Sequence, residues 1–107
     1  MPAGEFRFAP EGWTREAALR LAEQEGLALT PDHWEVIGAL QEHYARQQGA
    51  PIRRRALHDA LEERFHHKGG LRHLYMLFPG GPLAQGCRVA GLAPPAGSFD
   101  PSYGSVA

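Results

Sequence analysis

Glycine and proline interrupt this sequence repeatedly, and the segments between the interruptions are short. The breaks lie at Gly26, Gly49, Gly69-Gly70, Pro79–Pro82 and Gly91. Because both residues are unfavourable inside helices, each break predicts the end of one element or the start of the next. The sequence therefore predicts a domain built from several short elements.

Most of these segments have the apolar spacing of amphipathic helices. The first helix is predicted to begin after an N-cap at Thr14 and to stop at Gly26. The second is predicted to begin at Thr30, with Pro31 in the first helical position, and to close at Gly49. Three further helices are predicted over about 53–67, 71–78 and 83–90.

The two ends of the chain differ from this helical middle. Glu5–Ala9 alternates polar and apolar residues, which predicts one short strand. Beyond Gly91 the sequence is rich in Pro, Gly, Ser and Ala and has no apolar period, which predicts an extended arm or a flexible tail. We therefore expect an α+β fold that is mainly α, with a single domain over 1–97 and a flexible extension over 98–107.

The overall charge and the cysteine content exclude several classes of protein. The formal net charge is -1, so no bulk attraction to nucleic acid or to a membrane surface is expected. A single cysteine cannot form an internal disulfide framework, which argues against a small secreted scaffold. We find neither a signal-peptide pattern nor an apolar run long enough for a bilayer, so a cytoplasmic location is expected.

The second and third predicted helices meet at the Ala50-Pro51 corner and have the layout of a helix-turn-helix pair. Arg53, Arg54 and Arg55 stand at the start of its second helix, where a DNA reader contacts bases or phosphates. The alternatives are a solvated helix start and a patch that binds an anion or a partner protein. The near-neutral net charge favours these alternatives over DNA binding.

Six histidines, among them His58, His66, His67 and His73, raise the question of a metal site. No Cys-x-x-Cys or His-Glu-x-x-His spacing accompanies them, so surface or half-buried histidines are the favoured interpretation. The sequence also has no nucleophile elbow and no phosphate-binding glycine loop. We therefore expect neither a metal nor a cofactor.

Cys87, the only thiol, has two interpretations from its surroundings. Free cysteines are often small buried apolar residues. Alternatively, Arg88 beside it and the Pro/Gly-rich segment after it indicate partial exposure and a stabilised thiolate. Composition leaves both interpretations open.

Three blocks of the sequence together resemble the DsrC/TusE family of sulfur-relay proteins. They are the Leu-Thr-Pro-Asp-His-Trp-Glu-Val-Ile run at 29–37, Leu-Phe-Pro-Gly-Gly-Pro at 77–82, and Gly-Cys-Arg-Val-Ala-Gly-Leu-Ala-Pro-Pro-Ala-Gly at 86–97. The resemblance extends from about Gly12 to Gly97 in the same order. The joint occurrence of the blocks is specific, whereas each alone is weak.

The resemblance implies an α+β domain of packed helices with a mobile C-terminal arm. It also implies a sulfur carrier, because members of this family hold sulfur as a persulfide on a cysteine near the end of that arm. One branch is the gamma subunit, or substrate carrier, of dissimilatory sulfite reductase and has two arm cysteines. Another branch passes sulfur toward the 2-thiouridine of tRNA and has only the terminal cysteine.

The arm of this chain departs from both branches. Cys87 stands at the upstream cysteine position, and Ser98 occupies the terminal position eleven residues later. A serine hydroxyl cannot replace the carrier thiol, since sulfur transfer needs a polarisable thiolate that can also leave.

These observations predict a sulfur-trafficking protein whose persulfide, if any, is on Cys87, with Arg53, Arg54, Arg55 and Arg88 as candidate anion or partner contacts. The expected partners are sulfur-transfer or sulfite reductase proteins. The alternatives are a docking or regulatory paralogue without sulfur chemistry, a tRNA-thiolation relay component and a helix-turn-helix nucleic-acid binder.

Overall fold

Five α-helices form the regular structure of residues 6–98, the part of the chain that the computed structural model describes. They are α1 (Arg15–Gln24), α2 (Pro31–Arg46), α3 (Arg54–Arg64), α4 (Gly70–Leu77) and α5 (Ala84–Val89), with a short 3-10 helix (His66–Lys68) between α3 and α4. The five predicted helices are confirmed in their order and approximate bounds. Within residues 6–98, no helix is both long and apolar enough to cross a membrane.

The starts of α1 and α2 follow the capping signals in the sequence. The Thr14 side chain accepts a hydrogen bond from the backbone N–H of Ala17 at 3.0 Å. At α2, the Thr30 N–H donates to Nδ1 of His33 at 3.0 Å, and Pro31 occupies the first helical position. These bonds satisfy donors that have no partner inside the helix, so they fix where each helix begins.

The core is formed by the inner faces of the helices around α2. α2 and α1 both lie against α5, and α3 lies against α4. The largest fully buried apolar side chains are Val36, Ile37, Leu40, Leu57, Leu61, Phe65, Leu74, Phe78 and Val89. Because α5 is only six residues long, its stability depends on this packing and not on its own hydrogen bonds.

His33 joins the start of α2 to the end of α4. Its Nδ1 accepts from the Thr30 N–H, so the ring proton lies on Nε2, which donates to the Leu77 carbonyl at 2.7 Å. The ring is buried and packs edge-on against Phe78, with ring centroids 5.1 Å apart. This contact brings together two of the sequence blocks that carry the family resemblance.

The predicted strand over Glu5–Ala9 is wrong for its described part, and Glu5 itself lies outside residues 6–98. Phe6–Ala9 forms a turn in which the Ala9 N–H donates to the Phe6 carbonyl at 3.0 Å. The Phe6 ring packs against Trp13 and Trp34, at centroid distances of 5.2 and 5.7 Å. No strand is present in residues 6–98, so the α+β class is corrected to mainly α over that range.

Candidate functional site

Cys87 lies on the inward face of α5 and has no exposed surface. It belongs to the core cluster, between helices that exclude water from its thiol. Burial raises the pKa of the Cys87 thiol from a usual 9.0 to about 11, because the thiolate loses its solvation there. Of the two interpretations that composition left open, the structure supports the buried thiol. The partial exposure in the second interpretation is wrong, and the thiol is protonated at neutral pH.

Arg88 does not stabilise a Cys87 thiolate, which corrects the second part of that interpretation. Its guanidinium forms a two-pronged ion pair with Glu25, at 3.0 Å from Nη2 to Oε1 and 3.2 Å from Nε to Oε2. Gln85 adds a bond from Nε2 to the same carboxylate at 2.8 Å. Consecutive residues of a helix point about 100° apart, so Cys87 faces the core while Arg88 binds the end of α1.

Tyr44 on α2 is the side chain that touches both the thiol and the segment after α5. Its hydroxyl lies 3.6 Å from Sγ of Cys87 and donates a short hydrogen bond to the Ala93 carbonyl. Because a carbonyl has no proton, the hydroxyl proton points to Ala93, which leaves the oxygen to accept from the thiol. Burial and the neighbouring Cys87 raise the pKa of Tyr44, so the hydroxyl keeps that proton.

Three hydrogen bonds fix the end of α5, where the arm begins. The Trp13 indole N–H donates to the Val89 carbonyl at 2.9 Å, and Nε2 of Gln41 donates to the Ala90 carbonyl at 3.0 Å. Past Gly91, the Leu92 N–H returns to the Cys87 carbonyl at 2.8 Å. The backbone that follows the thiol is therefore tied to α2 and to the segment before α1.

The family described as "DsrC like protein" matches residues 3–99. Among curated relatives, the sulfurtransferase TusE of Escherichia coli (strain K12) is 39% identical over 84 residues, which is 78% of this chain and 76% of the relative. The sulfurtransferase TusE of Photorhabdus laumondii is 40% identical over 83 residues, at 78% and 75% coverage. The chain belongs to the DsrC family.

A solved structure shares the fold of this DsrC-family chain. The NMR structure of Allochromatium vinosum DsrC superposes with a TM-score of 0.66 at 37% identity, over 87% of this chain and 86% of that one. The family resemblance in the sequence is therefore confirmed, together with the mainly helical architecture.

The described part of the arm in this DsrC-family protein, residues 92–98, has no regular secondary structure and lies on the domain. Pro95 is buried, and the Ser98 N–H donates to the Pro95 carbonyl at 3.1 Å. The Ser98 hydroxyl is also buried and finds no hydrogen-bond partner in the described part of the chain. These residues do not confirm an extended arm, and residues 99–107 of the predicted extension lie outside the described range.

Arg53, Arg54 and Arg55 are exposed at the start of α3, with Arg53 as its N-cap. No acidic residue occupies the first turn of this helix. The arm passes Arg54, since a Cβ built on Gly97 would lie 3.2 Å from its Nε. The structure therefore brings Arg54 to the arm, whereas Arg88 is committed to the contact with α1.

The histidines are distributed over the surface and the core. His66 lies 3.3 Å from Glu62, His58 lies 3.3 Å from Asp59, and His33 is held inside by its two backbone contacts. Within residues 6–98, no three His, Cys, Asp or Glu side chains come together in a way that could hold a metal ion.

An open groove of about 900 Å³ runs along the outer side of α2 and does not include Cys87. Aromatic side chains form part of its wall, and the Arg15 guanidinium lies over the Trp34 ring at 4.7 Å. Carboxylates and cations alternate along the rest, where Lys68 bridges Asp32 and Glu35. The groove therefore has no charge of a single sign that would indicate one class of ligand.

Proposed function

We propose that this DsrC-family protein acts in sulfur relay and that Cys87 carries the persulfide. The observation that carries the proposal is the family match over residues 3–99, supported by relatives named sulfurtransferase TusE at about 40% identity. Cys87 is the only side chain in the sequence that can form a persulfide.

The proposed transfer conserves both atoms and electrons. The Cys87 thiolate attacks the outer sulfur of a donor persulfide, a new S–S bond forms on Cys87, and the S–S bond of the donor breaks. The donor sulfur leaves as a thiolate and takes up the proton that Cys87 has lost. Delivery is the reverse reaction toward an acceptor thiol, so no external oxidant or reductant is needed.

Loading requires the protein to open around Cys87. The side chain is completely enclosed, and Tyr44 contacts it while holding the arm at Ala93. A donor persulfide therefore reaches Sγ only after the arm leaves Tyr44. Exposure to water also removes the cause of the raised pKa, so opening increases both access and thiolate content.

We propose sulfur-transfer proteins as partners and the cytoplasm as the location; the relatives named sulfurtransferase TusE support a partner of this class. The family resemblance implies a sulfite reductase as the partner if this chain follows the two-cysteine branch, and a tRNA-thiolation relay if it follows the other branch. Neighbouring genes for one system or the other distinguish the two pathways.

Mass spectrometry after exposure to a loaded sulfurtransferase or to a small-molecule persulfide tests the proposal. We expect one added sulfur atom on Cys87, its loss on reduction, and no addition to the Cys87→Ser variant. If the native protein stays unloaded while the same chain in denaturant accepts sulfur, Cys87 is not the carrier.

A second candidate function keeps the fold and omits the sulfur chemistry. The enclosed thiol and the serine at position 98 favour it, since neither end of the arm presents a reactive sulfur. Such a docking paralogue would occupy the sites of sulfur-transfer partners without accepting sulfur. It predicts that Cys87→Ser leaves partner binding unchanged, and a loss of binding in that variant would contradict it.

A further inference from the structure

The sequence between residues 64 and 99 contains no aspartate or glutamate. Three of its cationic side chains, Arg64, Lys68 and Arg88, form ion pairs with carboxylates elsewhere in the chain. The fourth, Arg72, lies on α4, and α4 itself has no carboxylate. α4 lies in the middle of the stretch. A surface formed by α4 therefore favours negatively charged groups on whatever binds it.

Only one side of α4 is used by the core. Leu74 is fully buried, and Leu71 and Leu77 are partly buried against the core cluster. The His33 contact with the Leu77 carbonyl and a bond from the Leu71 N–H to Glu62 at 2.9 Å fix the two ends of the helix. α4 is thus held rigidly by one face.

The opposite side, which we call the α4 outer face, consists of Arg72, Tyr75 and Met76. Tyr75 and Met76 stand three and four residues after Arg72, a spacing that places all three on one side of the helix. Tyr75 is 51% exposed and Met76 is 75% exposed, so the fold gains little from either side chain. Tyrosine, methionine and arginine are among the residue types that are enriched at protein interfaces.

We propose that the α4 outer face binds a partner protein whose docking site is apolar at its centre and acidic at its rim. Tyr75 and Met76 would fill the apolar centre, and Arg72 would pair with a carboxylate at the rim. The charge of Arg72, which no carboxylate on α4 offsets, selects this occupant over a basic one. The proposal holds whether or not Cys87 carries sulfur.

A second copy of this chain is the alternative occupant. Leu19, the other large apolar side chain that is exposed within residues 6–98, lies on the outer side of α1 with Glu16 and Glu23. That surface has the same combination of an apolar centre and acidic neighbours, but with a single apolar side chain at its centre. Association of α1 with α4 would therefore appear as concentration-dependent self-association.

Backbone amide NMR of the full chain with two designed helical peptides tests the proposal. One peptide consists of leucine and glutamate, and the other has lysine in place of each glutamate. We expect the acidic peptide to shift the amide signals of α4, with affinity that falls as salt is added. Arg72→Glu should weaken this binding by about tenfold or more, and Met76→Glu should weaken it similarly. The matched control, Arg20→Glu on the exposed side of α1, should leave it unchanged.

Three outcomes would overturn the proposal. In the first, the basic peptide binds as tightly as the acidic one. In the second, the shifted amide signals lie outside α4, and in the third neither peptide binds. If the protein self-associates at the NMR concentration and Leu19→Glu abolishes that association, the α4 outer face binds a second copy of the chain instead. None of these measurements uses persulfide, so failure here is distinct from failure of sulfur loading.

Discussion

Tyr44 connects the chemistry of one residue to the position of a whole segment. Its hydroxyl touches the Cys87 thiol and also holds the arm through the Ala93 carbonyl. Under the proposed loading, breaking the bond to Ala93 is the step that releases the arm beside the thiol. This coupling makes Tyr44 the residue at which exposure of the thiol can be altered without changing the thiol itself.

Tyr44→Phe removes this hydroxyl and keeps the ring. A hydrogen bond of this kind contributes about 1 kcal/mol, so we expect the open population, and with it the rate of thiol modification, to rise roughly fivefold. The rate of reaction with an aromatic disulfide reagent measures it. The control is Tyr75→Phe, which changes an exposed tyrosine on α4. Equal rates in Tyr44→Phe and the unmodified protein would contradict the role of the hydroxyl.

The raised pKa of Cys87 makes folding stability depend on pH in the alkaline range. The folded thiol has a pKa of about 11, whereas the unfolded one titrates near 9.0, so the unfolded chain loses its proton first as pH rises. Stability from this group is therefore complete below pH 9 and is lost as pH rises through 11. Urea unfolding at pH 7 and pH 10 should show a smaller decrease for Cys87→Ala than for the unmodified protein. The same decrease in both would contradict the assignment.

The sequence identified Cys87 as the residue of interest but not its environment. Proximity of Arg88 along the chain indicated a stabilised thiolate, yet helix geometry directs the two side chains to different surroundings. The side of α5 that faces the core is determined by its packing against α1 and α2. A six-residue helix has no local sequence pattern that predicts this orientation. No pattern in the sequence singled out Tyr44, because its contacts lie far along the chain.

Among the elements, α1 and α5 end in the same motif at glycines with similar backbone angles. Gly26 has φ of +71° and Gly91 has φ of +80°, and in both cases the next residue bonds back to the last turn. The surroundings differ, since a Cβ at Gly26 meets nothing within 4 Å, whereas one at Gly91 would lie 2.7 Å from Trp13. Gly91 is therefore required both by its angle and by the indole that covers it.

Alanine substitution at these two glycines separates the two requirements. Gly26→Ala should lower the free energy of unfolding by about 1–2 kcal/mol through the left-handed backbone alone. Gly91→Ala adds a collision with the Trp13 ring, so we expect a loss of about 2–4 kcal/mol. Urea midpoints of the two variants measure the difference. Equal losses would mean that Trp13 does not pack on the end of α5.

Helix ends were predictable because their causes are local. Thr14, Thr30 and Gly26 act on backbone groups within a few residues, so the sequence contains the whole signal. The strand over Glu5–Ala9 failed for the opposite reason. Two alternating phenylalanines are compatible with a strand, but the Phe6 ring finds Trp13 and Trp34, and the chain turns to reach them.

On the scale of the whole molecule, α5 is the point at which distant segments meet. Four side chains from earlier in the chain form hydrogen bonds with residues between 85 and 93: those of Trp13, Glu25, Gln41 and Tyr44. The bonded residues are 49 to 76 positions apart in the sequence. A six-residue helix is too short to be stable alone, so these contacts hold it. Such pairings depend on the complete fold and could not be predicted from local sequence.

These contacts around α5 also determine whether a second thiol in the arm could form a disulfide with Cys87. Ser98 stands eleven residues beyond Cys87, a span of roughly 35–40 Å when fully extended, so the arm is long enough to bend back on itself. A disulfide needs Cα atoms only about 4.4–6.8 Å apart, and Cys87 is enclosed until the arm leaves Tyr44. Release of the arm from Tyr44 should therefore limit the rate at which the disulfide forms.

We expect Ser98→Cys to form an intramolecular disulfide on mild oxidation and to form it several times faster when Tyr44→Phe is added, since the open state is then more populated. Cys87→Ser combined with Ser98→Cys should give only dimers, which non-reducing electrophoresis and intact mass distinguish. Two free thiols in oxidised native Ser98→Cys, with closure only in denaturant, would mean that the arm does not open to uncover Cys87. Sulfur could then not be loaded on Cys87 in the folded protein, and the docking paralogue would become the better account of this chain.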